Sequence, residues 1–83
     1  MKEILVFLAL FHCHPELRIA HDTWTHFDRG VIYLSNDDPA RLVHEAVHAC
    51  QYARYGSAKS AEEWSRRERE AHKVEIAWKM RDS

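Results

Sequence analysis

Little in this sequence points to a highly charged partner. Twelve lysines and arginines nearly balance thirteen aspartates and glutamates, leaving a formal charge of −1. No overall field therefore draws nucleic acid or an anionic membrane to the molecule. Cysteine is also scarce, with only Cys13 and Cys50 present. A single pair is not the multi-bridge framework that staples small secreted domains. Both residues sit among apolar neighbours, so they are expected to be buried thiols in a reducing compartment, the cytoplasm. Long hydrophobic runs are missing too. The longest, Ile4 to Phe11, is far too short to span a bilayer. Glu3 offsets Lys2, no small-x-small site follows, and His12 spoils a lipoprotein-type site before Cys13. The segment is expected to be a core element rather than a cleaved leader. Repeats, low-complexity tracts and linkers are absent, so residues 1–83 are expected to form one domain.

What is present suits a small globular fold. Apolar residues make up 46% of the chain and aromatics 11%, ample for a core. At 83 residues stability is marginal, and a bound metal would add to it. Seven histidines are an unusual number and a mild indication of metal binding.

Residues 3–13 are rich in Leu, Ala and Phe and predict a buried helix, with a buried strand as the alternative; the helix ends before His14-Pro15. From Leu17 the chain is dominated by strand formers, interrupted by Asp28-Arg29-Gly30. An antiparallel pair over about 17–26 and 31–35 is expected. Asn36-Asp37-Asp38-Pro39 is a helix start, with an acidic cap before proline, and Gly56 is a stop after Tyr55. Ser60-Ala61-Glu62-Glu63 is a capping box opening a last helix, whose apolar stripe is Trp64, Ala71, Val74 and Trp78. The fold class is α+β.

The chemistry concentrates in RLVHEAVHACQ, residues 41–51. His44 and His48 stand four apart on a capped helix, so both imidazoles project from one face and can reach one cation; neutral imidazole suits Zn²⁺. Glu45 lies about 100° round the helix, from where it can serve as general base towards a water at the metal. A third protein ligand is needed. The last helix offers Glu62, Glu63, Glu68, Glu70, Glu75 and His72, and helical geometry does not choose among them.

The order strand, HExxH helix, then glutamate helix resembles the gluzincin group of zinc metallopeptidases in minimal form. The chain also looks like short phage and bacterial zincin-like proteins with HExxHxxQ followed by E-x-E-A, and here Gln51 and Glu68-Arg69-Glu70-Ala71 match. The resemblance covers about residues 31–78. It implies a zincin-like fold with an N-terminal helix and a small antiparallel sheet. It also implies His44, His48 and Glu70 as zinc ligands, with Glu45 as base. One departure is Val74, four residues after Glu70, where larger gluzincins carry an acidic partner that orients a ligating imidazole; Asp37 or Asp38 could take its place.

The function expected is zinc-dependent hydrolysis of peptide bonds. The substrate would pair along the strand Gly30 to Ser35 by β-augmentation, and Tyr52, Tyr55 or His72 would assist the oxyanion. The bland reading packs both tyrosines between helices and leaves His72 in solvent. No nucleic-acid or membrane partner is expected. Interleaved charges in Arg66-Arg67-Glu68-Arg69-Glu70 make a solvated helix face rather than a nucleic-acid site. His12-Cys13-His14 point in divergent directions and make a poor second metal site, and His21 and His26 are expected as ordinary surface or turn residues. The competing function is a non-catalytic module in which the same ligands clip a short chain together.

Overall fold

A computed structural model describes residues 2–35 and 38–81. The expected α+β class holds: three helices and a three-stranded sheet follow in the order α1 (Lys2–Ala9), β1 (Ile19–His21), β2 (His26–Asp28), β3 (Val31–Leu34), α2 (Pro39–Tyr55) and α3 (Ala61–Met80).

The first helix is shorter than its sequence suggests. It ends at Ala9 and the chain folds back through His12, at φ 58°, with the Cys13 amide returning to Leu8 O at 3.1 Å. That turn delivers Cys13 to α2, where it forms a disulfide with Cys50 across a Cα–Cα distance of 5.8 Å. The expected pair of free thiols is therefore incorrect. Buried cysteines that meet across a core can bond, and the 37 residues between them hid the pairing.

The sheet is mixed, with strand order β1-β3-β2, rather than an antiparallel pair. β1 runs parallel to β3, with His21 opposite Leu34, whereas β2 runs antiparallel to it, with Asp28 opposite Val31. The segment expected as one strand over 17–26 breaks at Asp22, whose carboxylate accepts from the Thr23 amide at 2.7 Å. The chain then wraps around the end of β3. There the Thr25 hydroxyl accepts from the Ser35 amide at 3.2 Å, and the Asp22 amide donates to Leu34 O. A two-residue turn with positive φ at Arg29 (46°) and Gly30 (90°) closes the β2–β3 hairpin, as the strand twist requires. The strand Gly30 to Ser35, expected at an edge, is thus central and paired on both sides. β2 is the edge nearer the site.

Both long helices start and stop where their local chemistry dictates. The Asp38 side chain caps α2 by accepting from the Ala40 amide, Pro39 fills the first turn, and the Gly56 amide closes it on Tyr52 O. Asn36 and Asp37, part of the expected helix start, lie outside the described residues. Ser60 caps α3 by accepting from the Glu63 amide, while the Glu63 carboxylate accepts from Lys59 rather than from Ser60 itself. The short loop makes α2 and α3 antiparallel neighbours. Leu8, Ile32, Val43, Ala46 and Ala71 are almost fully buried where α1, the sheet and the two long helices meet. Each large apolar side chain there contributes about 1.5–3 kcal/mol of burial. Val74 and Trp78 join the core as expected, but Trp64 is half exposed and does not.

Candidate metal centre

Helical spacing places His44, Glu45, His48 and Gln51 on the face of α2 that meets α3, and all four are buried. The two imidazoles lie 5.0 Å apart between centroids. Both Nε2 atoms converge on one oxygen, Glu68 Oε1, at 2.8 Å from His44 and 2.6 Å from His48. Their Nδ1 atoms are held from behind. His44 donates to Glu75 Oε1 at 2.7 Å, and His48 donates to Gln51 Oε1 at 2.9 Å. Gln51 has no choice of orientation, because its amide nitrogen donates to Arg67 O and Glu70 Oε1, both at 3.0 Å.

Glu68, not Glu70, is the carboxylate that the fold brings to both histidines. Glu70 sits about 200° further round α3, where it holds Gln51. Glu75 lies seven residues beyond Glu68 on the same face, which is why one helix presents a carboxylate to each side of His44. It supplies the acidic partner that Val74 left missing, while Asp38 is engaged as a helix cap. Glu68, Ala71 and Glu75 share one face of α3 at i, i+3 and i+7, whereas Glu70, the ligand that the resemblance implies, accepts from Gln51.

Imidazole and carboxylate are donor types that hold metal ions. His44, Glu45 and His48 offer ligand atoms within 4.8 Å of one another. Each imidazole faces an acceptor on both sides, an arrangement satisfied by two protons, or by one proton and one cation. Glu68, whose side chain is 42% exposed, would complete the set as an oxygen donor. Glu45 completes the argument: its Oε2 is buried with no hydrogen-bond partner. An orphaned, buried carboxylate oxygen beside two convergent imidazoles is a group that needs a further partner to be satisfied. Burial pushes the Glu45 carboxyl up, against the opposing pull of His48, His44 and Arg41. At Glu68 burial also acts upward, but hydrogen bonds and charge from His44 and His48 outweigh it and hold the carboxyl below its usual value.

The centre opens into a cavity of about 420 Å³ between α2, α3 and the β2 edge. Its walls include Trp24 and Trp64, 61% and 52% exposed, and its lining includes His26 and Arg41. Trp64 stacks on the His48 ring at 5.2 Å, while His26 is sandwiched between Trp24 and Tyr33 and held by the Trp24 carbonyl. His26 is therefore a fixed wall of the cavity, not an ordinary turn residue. None of the expected oxyanion helpers lines it. Tyr52 packs on Phe27, Tyr55 lies against Arg54 and Arg67, and His72 is exposed with its ring 6.0 Å from His44. His12 and His14 line a separate hollow of about 600 Å³ on the disulfide side, and Cys13 is committed to Cys50. His21 sits exposed at the end of β1. No helix among the described residues is long and apolar enough to cross a membrane.

No protein-family model, curated protein or solved structure matches this chain.

Proposed function

We propose that the chain is a small zinc-dependent peptidase with His44, His48 and Glu68 as ligands. The observation that carries this reading is the buried, unpartnered Oε2 of Glu45 beside two imidazoles that are oriented from behind and converge in front. A zinc ion held there would supply Lewis-acid chemistry, polarising the scissile carbonyl and lowering the pKa of water towards ~7. Glu45 takes the proton of the attacking water and hands it to the leaving amine, a task that its raised proton affinity suits. Glu75 and Gln51 hold the imidazoles in one tautomer and one orientation. An extended peptide would lie along the cavity and pair with the outer edge of β2. The Cys13–Cys50 bond favours an oxidising compartment over the cytoplasm expected from sequence.

Metal content and peptide hydrolysis measured side by side test this. Wild type should carry one zinc per chain, and Glu45→Gln should keep the zinc while losing about 10²–10⁴-fold in turnover. A metal-loaded Glu45→Gln protein that cleaves as fast as wild type would sink the enzymatic reading. A second reading, a structural clip, draws on the way Glu68 ties α3 to both histidines of α2. It requires that zinc raise the melting temperature while no peptide is cleaved.

A further inference from the structure

The cavity over the metal centre has two different ends. β2 advances towards the C-terminal half of α2, since Asp28 lines a hollow with Gln51 and Tyr52 that Trp24, Arg41 and His44 do not reach. Trp24 and Arg41 therefore stand at one end, with Asp28, His48 and Trp64 at the other. Beyond His48 the groove continues into a second hollow of about 180 Å³ that shares Phe27, Asp28, His48 and Trp64 with the first. At the opposite end stands a cation. Arg41 precedes Glu45 by one helical turn, about 6 Å along the axis, and lines the same cavity.

Arg41 is not consumed by its neighbour. The two oxygens of Glu75 are taken by His44 at 2.7 Å and by Lys79 at 3.2 Å, whereas Arg41 approaches only to 3.7 Å. Its side chain is 41% exposed, with a five-donor fork suited to a carboxylate.

We propose that Arg41 docks the free α-carboxylate of a peptide, so that this site removes single residues from carboxyl termini. This rests on the peptidase reading above. The chain of the substrate enters over His48, runs antiparallel to β2 and ends at Arg41, which sets its last peptide bond beside Glu45. The water oxygen bonds to the carbonyl carbon and the C–N bond breaks. The water proton passes through Glu45 to the leaving nitrogen, releasing one amino acid and a peptide one residue shorter. No electrons are exchanged with any other species.

Calorimetric titration of zinc-loaded Glu45→Gln protein with N-acetyl-Ala-Ala-Phe, as free acid and as C-terminal amide, tests the docking without turnover. The acid should bind about tenfold or more tightly than the amide, the worth of one charge-assisted hydrogen bond. Adding Arg41→Gln, with zinc content and circular dichroism unchanged, should remove that preference, and Arg41→Lys should keep part of it. A merely structural Arg41 would leave the acid preference intact, so a preference that survives Arg41→Gln overturns the proposal. Should Arg41→Gln fail to fold, an Arg41→Lys protein with undiminished acid preference overturns it equally. Digestion by the wild-type holoprotein separates the two readings. Cleavage of the amide as fast as the acid removes the carboxylate docking and leaves the peptidase. An acid preference in binding with cleavage of neither peptide removes the peptidase and leaves the docking.

Discussion

The helical pair α2–α3 and the N-terminal part, residues 2–35, are built on different principles. The pair consists of helices of 17 and 20 residues with their own caps; it buries His44, His48, Gln51 and Glu75 in one polar network joined through Glu68, with Glu45 buried beside it. The N-terminal part has an eight-residue helix and strands of three to four residues, and it leaves Trp24 and Leu10 largely exposed. Short elements bury little and cannot hold a polar network in register. The chemistry accordingly sits on the pair, while the N-terminal part supplies one wall of the cavity and is tied to α2 by a covalent bond.

The sharpest way to test that division is to remove the carboxylate that joins the two helices. Glu68→Ala should abolish stoichiometric zinc binding, a larger loss than the about 10–100-fold that an orienting residue costs. Glu70→Ala removes only the second acceptor of the Gln51 amide, so zinc should stay near stoichiometric. Elemental analysis of the two proteins decides between them, and full zinc in Glu68→Ala would reverse the assignment.

The same division explains what could be read from sequence. Helix ends at Pro39, Gly56 and Ser60 are set by local capping chemistry, so they were legible. His44 and His48 as a pair follow from i, i+4 spacing. The third carboxylate depends on how α3 is rotated against α2, a tertiary quantity, so a family pattern favoured Glu70 where the packing presents Glu68. The crossing of β1 to the far side of β3 is equally non-local, decided by the hydrogen bonds of Asp22 and Thr25 around the strand end. Cys13 lies in the core and Cys50 packs against it, partly buried; only their meeting in space makes them a bridge. The apolar stripe of α3 puts Trp64 and Trp78 in the core, which holds for Trp78 but not for Trp64, whose ring stacks on His48.

The bridge between the two regions gives the next effect in size. It closes a span of 37 residues, for which chain entropy predicts about 3–4 kcal/mol of stabilisation. Reduction, or the double change Cys13→Ala and Cys50→Ala, should lower the thermal midpoint by ten degrees or more, on the order of 4–8 °C per kcal/mol for a domain this size. If the pair carries the metal site by itself, zinc affinity should change far less than the midpoint does. Parallel losses of both would mean that the N-terminal part also shapes the centre.

The smallest effect distinguishes members of the network by the sign of their pH dependence in metal-free protein. Burial raises the Glu75 carboxyl, but hydrogen bonds from Lys79 and His44 outweigh it and leave the group below its ordinary 4.5. The unfolded chain then binds more protons than the native one, so the contribution of Glu75 to stability is complete above pH 4.5 and fades as pH falls through the lower native value. Glu68 shares this sign. Glu45 has the opposite one: desolvation raises its carboxyl, so the native state binds the extra proton, and stability is withdrawn as pH rises from 4.5 through the raised value. Thermal midpoints of chelator-treated protein over about pH 3 to 7 should therefore separate two variants. Glu75→Gln should flatten the acid side of the profile, and Glu45→Gln the side above 4.5. Profiles parallel to wild type in both variants would show that neither carboxylate is set by the neighbours described, and the network would then be packing rather than an organised site.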